Sequence, residues 1–139
     1  MIILDTNVIS EPLRHRPEIK VIEWIDRQNI ESLYLTSITL GELRYGLAAL
    51  PDGKRKQMLQ ERLETEVLPL FKGRVLVYDL DASEAFGVLM ARARAEGISI
   101  GTADGNIAAI AKSCRMKVAT RDTSPFIAAE VEVINPWDS

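Results

Sequence analysis

The sequence predicts an α/β fold in which a central, mostly parallel sheet of four to five strands is flanked by helices. Apolar runs too short to be helices alternate with longer amphipathic stretches. The first such run, Ile2–Leu4, has no polar alternation and so reads as a strand buried on both faces. The length of 139 residues makes one domain, residues 1–139, large enough for a core without disulfides or structural metal.

The elements read in the order β, α, α, β, α, α, β, α, α, β, with a short closing strand. Ile2–Leu4 ends at Asp5. A helix over 18–28 follows Pro17, whose fixed φ suits a first turn. Leu33–Thr36 is the second strand, and a helix over 38–49 follows with Ser37 as its cap. The LPDGK segment turns the chain between two helices. The run 54–68 sets Leu59, Leu63 and Val67 on one helical face until Pro69 forbids continuation. A third strand covers 75–78, and a helix over 82–96 closes at Gly97. A helix over 103–114 starts after the candidate cap Thr102. Strands over 117–120 and 132–134 finish the sheet.

Hydrophobic residues make up 47% and charged residues 27%, which excludes a disordered or collagen-like chain. Apolar runs are too short to span a membrane, and no basic segment followed by an apolar one marks a signal peptide, so a cytoplasmic protein is expected. A single cysteine, Cys114, forms no internal disulfide and reads as a small buried hydrophobe near a helix end. The net charge of −3 does not exclude a nucleic-acid partner. If four gathered carboxylates were neutralised by metal, the rest of the chain would be slightly basic, with Arg14, Arg16, Lys54, Arg55, Lys56, Lys112, Arg115 and Lys117 available to phosphate. Taken singly, these are ordinary solvated side chains.

Four acids stand where open α/β sheets bind ligands, at the carboxyl ends of strands. Asp5 follows the first strand directly, and Asp122 comes just past the fourth. Asp104 lies in the first turn of a helix and shares the stripe of Ile107, Ala108 and Ala111. Glu42 lies on the helix after the second strand, between Gly41 and Gly46. Each has a plainer reading as well: Asp104 as a first-turn acid on the helix dipole, Asp122 as a helix cap, Glu42 as a solvated helix acid. Asp5 is hardest to explain so, because a charge at the mouth of a core strand needs a partner.

Together the four would repel, by about 4 kcal/mol for two unit charges 4 Å apart at an effective dielectric of 20, so the cluster needs a cation. Oxygen ligands, with one histidine and no cysteine cluster, select Mg²⁺ or Mn²⁺ over zinc. Carboxylate-held metals activate water for phosphoryl displacement, which is nuclease chemistry. His15, between two arginines, reads as a surface group. GxSxG and GKS/T motifs are absent, which leaves serine hydrolysis and P-loop binding without support. A phosphatase or receiver-type aspartate site also follows a first strand, but Asn7 stands where a DxD motif would place its second acid.

The segments LDTNVIS, TSITLGELRYG, GTADGNIAAIAK and VATRDTSPF with its closing INPW resemble the PIN-domain ribonuclease toxins of the VapC family, in the FitB-like branch. The likeness spans essentially the whole chain. It implies a PIN-like fold and a Mg²⁺- or Mn²⁺-dependent endoribonuclease, the toxin of a type II toxin–antitoxin pair. Asp5, Glu42 and Asp104 match the family's three acids as catalytic and metal-binding residues. Asp122 matches a fourth position that is asparagine in many relatives. Thr6, Asn7 and Thr120 would support the acids by hydrogen bonds. The resemblance further implies a homodimer and a VapB- or FitA-like antitoxin. The antitoxin's tail crosses the acidic groove and can insert an arginine, and the toxin reaches operator DNA only through the antitoxin. Trp24, Leu43, Tyr45 and Leu47 carry more apolar surface than one sheet face needs. They are expected at a partner interface, with Leu43, Tyr45 and Leu47 binding the antitoxin, although ordinary core packing would also account for them. The alternative is a PIN-like nucleic-acid-binding or regulatory module without catalysis, a reading that a missing acid would favour; none is missing.

Overall fold

The computed structural model describes residues 1–139. Five parallel strands, β1 (Ile2–Leu4), β2 (Leu33–Thr36), β3 (Val75–Leu76), β4 (Lys117–Ala119) and β5 (Val133–Ile134), lie in the order β3-β2-β1-β4-β5. The chain builds outward from β1 to β3, then crosses to the other side of β1. The switch point therefore falls between β1 and β4, and in open parallel sheets the crevice at such a point takes the ligand.

Because strand side chains alternate between faces, neighbouring residues feed two cores. Ile3 and Val118 join the core built with α5 (Leu80–Ala95), α6 (Thr102–Cys114) and α7 (Ser124–Ala128), which includes Leu89, Ile107 and Phe126. Leu4 and Ala119 join the opposite core, with Val8 of α1 (Thr6–Ser10), Val21 and Trp24 of α2 (Ile19–Arg27) and Leu43 of α3 (Ser37–Ala48). This double burial is why the short run Ile2–Leu4 carries no polar alternation. No helix is long and apolar enough to cross a membrane.

Several boundaries differ from the sequence expectation, each for a local reason. The third strand stops at Leu76 instead of residue 78: Leu76 pairs with Thr36, the last residue of β2, so Val77 and Tyr78 have no strand beside them. Asp79 then caps α5 by accepting the Ala82 N–H at 2.9 Å. The expected helix over 54–68 is α4 (Lys54–Arg62), a wide turn over Leu63–Val67 in which Leu68 N–H reaches Leu63 O, and a 3₁₀ turn over Leu68–Phe71. Pro69 has no N–H to continue the helical ladder, and Thr65 Oγ1 donates to Glu61 O at 2.8 Å. Arg44 grips Glu64 in bidentate fashion at 2.8 and 3.0 Å, tying this turn to α3. Thr36, not Ser37, caps α3, accepting the Thr39 N–H at 3.1 Å. Gly101, not Thr102, stands at the cap of α6. Gly97 follows α5 with φ +73°, the left-handed geometry that ends the helix as expected.

Candidate metal and nucleic-acid site

In a parallel sheet every strand ends at the carboxyl edge, so α1 and α3, which follow β1 and β2, start there, and α6, which returns the chain to the amino end of β4, has its first turn toward that same edge. That topology brings Asp5 (after β1), Glu42 (midway along α3), Asp104 (first turn of α6) and Asp122 (after β4) toward one edge.

The groups are joined through hydroxyls. Asp5, buried, N-caps α1 by accepting the Thr6 N–H at Oδ1 (2.8 Å), while its Oδ2 accepts from Thr120 Oγ1 at 2.8 Å. Thr120 Oγ1 in turn accepts the Asp122 N–H at 3.1 Å, so one fully buried hydroxyl ties Asp5 to the Asp122 loop. Asn7 Nδ2 reaches Thr120 Oγ1 at 3.3 Å and Asp5 Oδ2 at 3.5 Å, and Asn7 Oδ1 accepts the Arg121 N–H at 3.1 Å. On the other side Thr6 Oγ1 donates to Glu42 Oε1 at 2.8 Å and lies 3.2 Å from Thr39 Oγ1. Thr39, fully buried, escaped the sequence reading; its one signal is the run of hydroxyls at Thr36, Ser37 and Thr39 ahead of Glu42.

The electrostatics are those of uncompensated negative charge. Burial raises the Asp5 carboxyl above the usual carboxylate range; the hydrogen bonds from Thr120 and the Thr6 amide pull the other way, and the charges of Glu42 and Asp122 add to the rise. Asp104, half-buried, is pushed up to about 6, first by desolvation and then by the charges of Asp5, Asp122 and Glu42. None of the six ion pairs in the chain involves these four acids. The carboxylates feel one another's charge without meeting at ligating distance, for no three acid, histidine or cysteine side chains come together closely enough to hold a metal. The donor set itself, all carboxylate oxygen with hydroxyl support, suits a hard divalent cation.

Above its raised pKa, Asp104 opposes folding. Between about 3.8 and about 6 the folded chain holds a proton that the unfolded chain has released, so stability falls as pH rises through that window. Asp104→Asn removes this penalty. Thermal denaturation without divalent ions should find the variant more stable than the parent at pH 8, with the gap closing below about pH 4. Solvent screening of a half-buried group reduces the effect to on the order of 1 kcal/mol, about 3–5 °C in Tm. An equal gap at both pH values would contradict it.

The plainer readings of the acids fare unevenly. Thr123, not Asp122, occupies the cap position of α7, so capping does not account for Asp122. Glu42 is exposed but anchored by Thr6. Beside it runs a groove of about 290 Å³ lined by Thr6, Leu13, Leu43, Gly46, Leu47 and Leu50, with Arg14 and Arg55 at its margin. The interface expectation needs correcting: Trp24 and Leu43 are 6% exposed and packed in the core, because α2 and α3 turn their apolar faces to the sheet. Tyr45, 76% exposed, offers free surface, and Leu47 meets solvent along the groove. The largest concavity, about 580 Å³ between the end of α5 and Ile100, contains no acid.

The PIN domain signature matches residues 2–131. The chain is 58% identical over 138 residues to a VapC ribonuclease of Sinorhizobium fredii, covering 99% of each chain. It is 50% identical over 137 residues to the toxin FitB of Neisseria gonorrhoeae, again 99% of each. A chain in the crystal structure of FitAcB from Neisseria gonorrhoeae superposes on it with a TM-score of 0.97 over 100% of both chains, at 50% identity. DNA-bound VapBC from Salmonella typhimurium superposes with a TM-score of 0.81 over 97% of each, at 26% identity. On these matches, and with the sheet order and acid positions described above, the chain belongs to the PIN-domain family, in the branch of the VapC and FitB toxins.

Proposed function

We propose that this protein is the toxin of a type II toxin–antitoxin pair and a Mg²⁺- or Mn²⁺-dependent endoribonuclease, acting in the cytoplasm and silenced by a cognate antitoxin. The observation that carries this reading is the gathering of Asp5, Glu42, Asp104 and Asp122 from four elements at the β1/β4 switch point, with no basic side chain paired to any of them.

Asp5, Glu42 and Asp104 would hold the ion, and Asp122 would either bind it or orient water. When bound, the ion supplies water activation and neutralises charge developing on the phosphate. The remaining work belongs to the chain. Thr120 holds the Asp5 carboxylate toward the switch point, Thr6 fixes the reach of Glu42, and Asn7 clasps the Asp5 and Asp122 loops together. These three are positioning residues.

The antitoxin reading is supported by the relatives' complexes, one of them the structure of FitAB bound to a DNA fragment, and by the apolar groove beside Glu42. Leu47 lines that groove, and Tyr45 stands exposed on the same helix. Operator DNA would be reached only through the antitoxin. Homodimer formation belongs to the same reading; the exposed Val77, Leu80, Val88 and Ile98 offer apolar surface for it.

Expression of the chain alone should arrest growth, and co-expression of the neighbouring small gene product should relieve the arrest. Purified protein should cleave RNA with Mg²⁺ or Mn²⁺ and stop when EDTA is added. Metal-independent cleavage, or normal growth with folded protein accumulating, would contradict the reading.

A further inference from the structure

Four carboxylates around a single divalent ion keep a net negative charge, and even a neutral site offers nothing to the RNA backbone, a polyanion, so binding calls for cations at the rim of the site. Six basic residues, Arg14, Arg44, Lys56, Arg62, Arg92 and Lys117, are paired with acids. Arg121 is not. It is exposed and sits between Thr120, which holds Asp5, and Asp122. The bond from its backbone N–H to Asn7 Oδ1 at 3.1 Å ties it to the Asp5 loop. Its guanidinium lies over the ring of Trp137, 5.2 Å from the centroid, and its side-chain N–H groups meet no acceptor in the protein.

Trp137 is a firm support. It packs against the core that contains Leu4 and Val8, and its backbone N–H donates to Asn135 Oδ1 at 3.0 Å. Stacking of this kind holds a guanidinium by one face and leaves its N–H edge free. The free edge is a fork of donors whose geometry matches two phosphate oxygens. With the ring face already covered by the arginine, a nucleobase has no platform there.

We propose that Arg121, oriented by Trp137, binds a backbone phosphate of the single-stranded RNA substrate beside the carboxylate site. This rests on the nuclease reading and adds to it a substrate-binding residue outside the acid cluster, with Trp137 as its positioning residue.

The test measures binding of a single-stranded RNA oligonucleotide against salt, in full-length protein carrying Asp104→Asn so that the RNA stays intact. Cleavage kinetics are measured in the otherwise native chain. Arg121→Ala should weaken RNA binding about tenfold and flatten the slope of log K against log salt by about 0.7, the loss of one phosphate contact. In cleavage, KM should rise more than kcat falls. Arg121→Lys should keep the slope and recover part of the affinity, and Trp137→Leu should keep the slope with a smaller loss. Lys72→Ala, an exposed residue just before the amino end of β3 and so at the opposite edge of the sheet, should change neither quantity. An Arg121→Ala protein with the parent's slope and KM overturns the inference, as does one whose only defect is in antitoxin binding. If the parent cleaves RNA while Arg121→Ala changes nothing, only this inference falls; if the parent neither binds nor cleaves RNA, the nuclease reading falls with it.

Discussion

Asp104→Asn and Asp5→Asn are each expected to lower metal-dependent RNA cleavage on the order of 10³-fold, the size of the several kcal/mol that a correctly held ion contributes to a phosphoryl transition state. Each change removes one anionic ligand while keeping the side chain's shape. Asp104 is the cleaner test, because its carboxyl is already pushed up to about 6 by burial and by its acidic neighbours, so the neutral amide relieves strain in the metal-free fold. Asp5 is also an N-cap and the acceptor of the Thr120 hydroxyl, so its replacement disturbs a bonded network as well as a charge. Thermal denaturation separates the two effects: a lost activity with an unchanged or raised Tm belongs to the site. Binding of Mn²⁺, followed by calorimetry, should weaken in parallel. Full cleavage by folded Asp104→Asn protein would remove the metal assignment.

The second large effect concerns inhibition. If the antitoxin places an arginine among the same carboxylates, Mg²⁺ and antitoxin compete. Reciprocity of binding free energies then requires that raising Mg²⁺ weaken the antitoxin as much as the antitoxin weakens Mg²⁺. Asp104→Asn also leaves the inserted guanidinium short of a partner, which for a buried charged pair costs about 3–5 kcal/mol. The variant should therefore bind antitoxin at least about 10²-fold more weakly, while also failing to cleave RNA. Salt screening would mimic the Mg²⁺ effect, so the titration is run against Na⁺ at equal ionic strength. Equal affinities in the two salts, with no effect of Asp104→Asn, would mean that the antitoxin covers the site without entering it.

Much of this site was legible in the sequence because its signals are local. A strand buried on both faces shows as an unbroken apolar run within three residues, and an acid directly after it, as at Asp5, marks the carboxyl edge. Helical spacing set Asp104 on the same stripe as Ile107, Ala108 and Ala111, and Glu42 stood on the helix after the second strand. Helix ends were less legible, since capping at Ser37 or Thr36, at Thr102 or Gly101, differs by one residue and is decided by which backbone amide lies within reach.

The sequence by itself determined the α/β class, the presence of strands at five places and the identity of the four acids, because periodicity, turn residues and side-chain chemistry act over a few neighbours. Only the tertiary structure decided which strands are neighbours, and with them the β1/β4 switch point that gathers the acids. It also decided that β3 ends where its partner ends, that Trp24 and Leu43 face the core, and that Arg121 rests on Trp137. The physical reason is separation along the chain. Thr120 holds Asp5 across 115 positions, and the rise of the Asp104 pKa comes from burial and from charges carried by three other elements. Burial, charge coupling and hydrogen bonding at such distances exist only once the chain has closed on itself, and no local pattern records them.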